Sequence, residues 1–268
     1  MNNDKRTILL VEDDSIIAFA TKLSLESMGY RAFAAASGEE AIAVAAGSAL
    51  IDMILMDIDL GKGIDGIEAA RTILEGRDVP IVFLSSHGEQ DMVQKTDSVT
   101  SYGYVMKNSN MITLGESIKM ALRLFEANRK LLQNRELLEN VIDTFPGFVV
   151  WKDTDSVFMG CNANFAKRSG FNSSAEIIGK RDSDLPFTQE EVEGFLEDDR
   201  SVMDSCVPKR HFKEREHIAG GEEIVLDTCK FPLFDGKGKV VGLLAVARDI
   251  TAPCAVDSFR RNNASSSP

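Results

Sequence analysis

Nowhere does this chain carry an apolar run near the roughly eighteen residues that a membrane-spanning helix needs. It opens on Met1-Asn2-Asn3-Asp4-Lys5-Arg6, without the apolar stretch of a secretory signal, so no membrane association is expected and a cytoplasmic location is. Positive charge is short as well: 30 Lys and Arg face 42 Asp and Glu, for a formal net charge of −12. That balance argues against broad binding to nucleic acid or anionic lipid, and no basic helix stands out as a reader of DNA. Cysteine is scarce and badly spaced for a framework. Cys161, Cys206, Cys229 and Cys254 all lie in the second half with no C-x-x-C pair, which points to reduced thiols rather than disulfides or structural zinc. A G-x-x-x-x-G-K-[ST] phosphate loop is also missing. What remains is an acidic chain of 268 residues, long enough for two domains with separate cores.

Four short apolar runs end in polar groups. Ile8-Leu9-Leu10-Val11 runs into Glu12-Asp13-Asp14, Met53-Ile54-Leu55-Met56 into Asp57, Ile81-Val82-Phe83-Leu84 into Ser85-Ser86, and Tyr104-Val105-Met106 into Lys107. Helix signals fall between them. Asp14-Ser15 caps a helix through Met28 with Gly29 to end it, and Ser37-x-x-Glu40 is a capping box for a second helix to about Ala46. Further helices are expected over 66–74, 89–98 and from 110 onward. Alternating elements with near-continuous apolar strands imply an α/β doubly wound parallel sheet, whose strand ends face one crevice.

The four endings then share one site, and its chemistry suits phosphoryl transfer onto a carboxylate. Crowded acids repel unless a cation intervenes, and an all-oxygen set suits Mg²⁺. Asp57 is the natural acceptor, Lys107 a point charge for a phosphoryl oxygen and Ser85 a hydrogen-bond donor to another. Gly61-Lys62-Gly63-Ile64-Asp65-Gly66 spells the G-x-G-x-x-G of dinucleotide sites. It follows the third strand rather than the first, with no ribose-binding acid after the next, so these glycines are read as letting the loop fold close to Asp57.

On these motifs, residues 5–125 resemble a response-regulator receiver domain. The resemblance implies a flavodoxin-like five-stranded sheet, with Asp57 phosphorylated, Ser85 as switch hydroxyl, Tyr104 as switch aromatic and Lys107 as the lysine. It further implies Mg²⁺ on Glu12, Asp13, Asp57 and the backbone carbonyl of Asp59. The donor would be a phosphohistidine on a sensor histidine kinase or histidine phosphotransfer protein, with the receiver catalysing only its own modification and hydrolysis. His87, two residues past Ser85, is a candidate influence on that hydrolysis. One departure is that Asn108, not proline, follows Lys107.

The last receiver helix is expected to continue over 110–144 as a linker. Leu124, Leu131, Leu138 and Phe145 recur at heptad spacing, with Ala127, Asn134 and Val141 as a companion line, which suits a short parallel coiled coil and a homodimer. Pro146-Gly147 breaks the helix. Two strands follow, joined by a turn through Lys152-Asp153-Thr154-Asp155. Then come short helices at 164–168, after the box Ser173-x-x-Glu176 and after the box Thr188-x-x-Glu191. Three strands over 209–218, 223–233 and 240–249 complete the region, with hairpin turns at Gly220-Gly221 and Asp235-Gly236-Lys237-Gly238. The order, with Trp151-Lys152-Asp153, Gly160-Cys161-Asn162-Ala163-Asn164-Phe165, Ile178-Gly179-Lys180 and Asp249-Ile250-Thr251, resembles a PAS domain over 145–251. That implies an α+β fold on a five-stranded antiparallel sheet, with 252–268 a disordered tail.

The PAS ligand is not legible. His211 and His217 sit in the charged run 209–217, read as a solvated face, so haem is not expected. Cys161 precedes Asn162 rather than following it, against flavin photochemistry. Phe148, Trp151, Phe158, Phe165 and Phe231 are read as core. No kinase domain is read in the chain. The expected function is two-component signalling in which phosphorylation of Asp57 switches the receiver surface and the helix-linked dimer. The alternatives are a PAS sensing or dimerisation module with an unphosphorylated docking receiver, the N-terminal part of a hybrid sensor kinase, or a metal-dependent phosphatase on free substrates.

Overall fold

The computed structural model describes residues 5–47, 50–86, 101–217, 221 and 223–251. The chain divides into two compact units, Met1–Gln133 and Asn134–Pro268.

In the first unit, β1 (Thr7–Val11), β2 (Arg31–Ala35), β3 (Met53–Asp57), β4 (Ile81–Ser85) and β5 (Tyr104–Met106) form a parallel sheet in the order β2-β1-β3-β4-β5. Every residue of β1, β3 and β4 is buried, because helices cover both faces. Leu9, Val11, Ile54, Met56 and Phe83 pack with α2 (Gly38–Gly47) and α3 (Gly66–Gly76) on one face. Ile8, Leu10, Met53, Leu55 and Val82 pack on the other with α1 (Ser15–Ser27) and the start of α4 (Met111–Asp143). The chain order reverses between β1 and β3, so Glu12 and Asp57 end neighbouring strands at the switch point where such sheets open a crevice.

Local chemistry agrees with the caps read from sequence. Asp14 accepts from the N–H groups of Ile16 and Ile17, and Gly29 follows α1 at φ +92°. Glu40 N–H donates to Ser37 Oγ, while the Glu40 carboxylate accepts from Ala36 N–H rather than from Ser37. The expected helix over 89–98, with His87, lies outside the described residues.

The second unit holds β6 (Phe148–Asp153), β7 (Phe158–Cys161), α5 (Ala163–Arg168), α6 (Gln189–Ser205), β8 (Lys209–His217), β9 (Glu223–Phe234) and β10 (Val240–Asp249). Its five strands are antiparallel in the order β7-β6-β10-β9-β8. Buried Asn162 ties the entry together: its oxygen accepts from Val149 N–H and Phe165 N–H, and its amide donates to the Gly147 carbonyl. The box at Thr188 forms in both directions with Glu191 and starts α6.

Four expectations need correction. Lys152 is not in a turn; it lies in β6 and is buried. Ser173-x-x-Glu176 opens only a single 3-10 turn, Ser174–Glu176, and Ser173 makes no backbone cap, because Gly179 at φ +83° ends the segment within a few residues. The run 209–217 is not a uniformly solvated face, since Glu216 is buried beneath it. Trp151 and Phe231 are only half-buried, on the sheet face away from Lys152 and Lys230. Cys161, Cys206 and Cys229 are free thiols, and Cys254 and Gly220 lie outside the described residues.

The glycine loop after β3 packs as its composition suggested. Gly66 donates to the Ile58 carbonyl at 3.0 Å, and a Cβ there would overlap the carbonyl of Asp57 itself. Gly66→Ala is therefore expected to lower the stability of the first unit by about 1–3 kcal/mol. Urea unfolding followed by circular dichroism checks this, and an unchanged midpoint would show that the loop yields freely.

Candidate functional site

The parallel sheet delivers the four strand ends to one place. Lys107, just past β5, puts its Nζ 2.6 Å from Asp57 Oδ2 and 2.8 Å from the Glu12 carboxylate. Glu12, Asp57 and Ser85 are buried, while Asp13 is exposed. Carboxylate oxygens of Glu12, Asp13 and Asp57 lie within 4.8 Å of one another. Asp59, two residues beyond the acceptor, donates its N–H to Asp57 Oδ1 at 3.3 Å.

Burial pushes both Asp57 and Glu12 above the ordinary carboxylate range, and neighbouring carboxylates add to the shift against the pull of Lys107. Burial alone would lower Lys107, but its bonds to Asp57 and Glu12 outweigh that and raise it. The cluster is thus short of positive charge even with its lysine in place. An all-oxygen donor set of this kind fits a hard divalent cation such as Mg²⁺.

Tyr104 stands apart from the cluster. Its ring stacks on Phe83 at 5.9 Å between centroids, its side is 36% exposed, and its hydroxyl accepts from Ser101 Oγ at 2.8 Å. Asn108 sits in a turn closed by Ser109 N–H on the Met106 carbonyl.

The second unit contains charges that sequence reasoning did not group. Lys152 binds Asp182 at 2.6 Å and Asp199 at 2.9 Å, and Lys230 binds Asp199 at 2.7 Å. Arg168 pairs with Glu216, and its guanidinium lies over the rings of Phe148 and Phe165 at 4.5 and 5.1 Å. These residues line a cavity between the sheet, α5 and α6. Alternation along β9 was the available signal: Ile224, Leu226 and Thr228 share a face with Lys230, so that lysine had to point inward. Arg168 and Asp199 offered no such signal, since helix-borne charges read as surface. His211 and His217 do not enter the cavity lining; they meet Asp227 and Glu191 at 3.2 and 3.0 Å.

Residues 8–119 match the family model of the response regulator receiver domain, and residues 142–253 match that of a PAS fold. The chain is accordingly a receiver domain of two-component signalling followed by a PAS fold. It is similar to the transcriptional regulatory protein YvrH of Bacillus subtilis, 30% identical over 161 residues that cover 60% of this chain and 65% of that protein. It is also similar to the transcriptional regulatory protein AfsQ1 of Streptomyces coelicolor, 35% identical over 118 residues covering 44% and 51%. The chain thus spans about half to two thirds of these curated relatives. Among solved structures it is similar to the N-terminal domain of a response regulator/sensory box/GGDEF protein from Carboxydothermus hydrogenoformans, 43% identical, covering 46% of this chain and 98% of that one, with a TM-score of 0.44. Among the described residues, no helix is long and apolar enough to cross a membrane.

A carboxyl whose folded pKa lies above its unfolded value stabilises the fold while protonated, and that contribution is lost as pH rises through the folded value. With Asp57 raised in this way, Asp57→Asn is expected to raise the melting temperature of the first unit at neutral pH. The gain should fade as pH falls into the carboxylate range. Thermal melts across pH check the sign, and a variant less stable than the parent at pH 7 would contradict it.

Proposed function

We propose that this protein is a two-component phosphoacceptor, in which Asp57 takes a phosphoryl group from a phosphohistidine on a sensor kinase or histidine phosphotransfer protein. The observation that carries this reading is the contact of Lys107 with both Asp57 and Glu12 at the switch point of the sheet. A carboxylate oxygen of Asp57 attacks phosphorus, the bond to the donor imidazole breaks, and the imidazole leaves with the electron pair. Lys107 stays beside the acceptor and balances the charge that arrives on the phosphoryl oxygens. Mg²⁺, held by Glu12, Asp13, Asp57 and the carbonyl of Asp59, would supply the remaining positive charge. The chain acts on itself only, as a signalling component without kinase activity of its own.

The donor has a surface to rest on. Ile16, Phe19 and Leu23 expose an apolar stripe along α1, which starts two residues after Asp13. On phosphorylation Ser85 donates to the new phosphoryl group, and Tyr104 leaves its bond to Ser101 and turns inward into the space that Ser85 vacates.

The output passes along α4. Every residue from 126 to 141 is exposed, including Leu131, Leu138 and Val141. Such a helix is covered best by a second copy of itself, with Asn134 fixing the register of a parallel pair.

Two measurements test the reading. Incubated with acetyl phosphate and Mg²⁺, the parent should gain one phosphoryl group by intact mass and Asp57→Ala none; a folded parent that gains nothing would sink the phosphoacceptor reading. In sedimentation equilibrium the parent should dimerise, and a variant carrying Leu131→Glu and Leu138→Glu should be at least about tenfold weaker in self-association. A parent that is monomeric throughout would remove the coiled coil.

A further inference from the structure

Of the three carboxylates gathered at the crevice of the first unit, Glu12 and Asp57 are buried and held by the ammonium of Lys107. Asp13 is exposed and, among the described residues, has neither a hydrogen bond nor an ion pair. What it meets is the loop after β3. Its Oδ2 lies 2.7 Å from where a Cβ on Gly61 would stand, and glycine at φ +64° keeps that space open.

The tip of this loop is tied down at one point. Leu60 is buried before it and Asp65 caps α3 after it, while Gly61, Lys62 and Gly63 are exposed. Ile64 N–H donates to Glu39 Oε1 at 3.1 Å, the one hydrogen bond among the described residues that joins residues 61–64 to another element. Glu39 stands in the first turn of α2. Its carboxylate also fills the space beside Gly63, which sits at φ +96°, so that a Cβ there would collide with it. Its own N–H, the Ile64 N–H and Ser37 hold Glu39 below the ordinary carboxylate range, so it accepts as an anion at neutral pH. The tip therefore meets Asp13 through Gly61 and Glu39 through Gly63 and Ile64.

We propose that Glu39 is a positioning residue for the cation site: by fixing the 61–64 tip against Asp13, it sets the direction from which that carboxylate meets Mg²⁺.

This role rests on the reading of Glu12, Asp13 and Asp57 as a cation site. An exposed side chain loses rotamer freedom when it coordinates, and a neighbour that already confines it lowers that cost. Mg²⁺ demands near-ideal octahedral directions, so confinement counts for more with it than with a larger cation. The rival role for Glu39 is that of an acid complementing the dipole at the start of α2. Glutamine separates the two roles, because it keeps an oxygen to accept from Ile64 N–H and loses the charge.

The test uses the full chain, ²H,¹⁵N-labelled, as parent, Glu39→Ala and Glu39→Gln, titrated with Mg²⁺ and followed by the amide shifts of Asp57 and Asp59. Glu39→Ala is expected to bind Mg²⁺ about threefold to tenfold more weakly, and Glu39→Gln within about twofold of the parent. Without metal, the Ile64 amide should exchange with solvent faster in Glu39→Ala and at the parental rate in Glu39→Gln. Glu39→Ala binding as tightly as the parent, or Glu39→Gln binding as weakly as Glu39→Ala, overturns the positioning role alone. A parent that takes no Mg²⁺ overturns it together with the cation site. Gain of a phosphoryl group is scored separately by intact mass, so its failure with Mg²⁺ bound counts against the phosphoacceptor reading and leaves the two variants to decide this one.

Discussion

Lys107 stands 2.6 Å from Asp57 and 2.8 Å from Glu12, and the first unit is built to hold that ammonium between two buried carboxylates. Neither acid is near the other in sequence. They meet because β1 and β3 are neighbours in the sheet, and Lys107 joins them because β5 runs parallel on the far side of β4. Burial on both faces keeps the strands rigid, so the charges cannot relax apart. Three carboxylates, with Asp13, share one lysine. The deficit of positive charge suits this corner to a hard cation, and the proposed phosphoryl transfer would need one because the incoming group is itself anionic.

The second unit solves the opposite problem. Asp199 sits between Lys152 and Lys230, and burial pushes its carboxyl up while the two lysines outweigh that and hold it low. Asp182, paired with Lys152 and more distantly held by Lys230, is nonetheless left raised by burial. Lys152 in turn is raised, the two carboxylates outweighing its desolvation. These charges are matched and need no visitor. What remains unsatisfied is hydrogen bonding, at Arg168 and Thr228. The two clusters therefore differ in kind: the receiver corner is short of positive charge, while the buried lysines and aspartates of the second unit balance one another.

The receiver cluster was legible because each residue sits at the end of an apolar run, where position and chemistry are read together. Parallel topology then turns four separate endings into one site. The PAS charges were not legible for a matching reason. Lys152 follows Trp151 and precedes Asp153, a sequence that reads as a turn, and only pairing with Leu243 on β10 reveals it as inward-facing strand. Glu216 lies in a run of charges in which its neighbours Arg215 and His217 are outward, so burial was hidden by composition. The Ser173 box failed for want of length. A cap starts a helix only where residues follow to propagate it, and here the turn ends at Glu176.

Between these sites runs a helix whose surface demands an account. α4 buries Ile118, Ala121, Leu122 and Phe125 in its first half, then nothing through residue 141. Local pairs such as Arg135 with Glu139 add only a few tenths of a kcal/mol each at an exposed site. Those pairs do not offset the exposure of Leu131, Leu132, Leu137 and Leu138. An isolated helix of this composition would fray, because propagation alone is marginal in water. Its continuity with a packed first half removes the nucleation cost, and a partner along the leucine line would supply the burial that the chain itself does not. In the proposed dimer, a helix held by a second helix rather than by its own domain would shift register or rotate at little cost, and neither proline nor glycine lies between Gly115 and Pro146. The exposed second half of α4 is thus the stretch along which the proposed change at Asp57 would be carried.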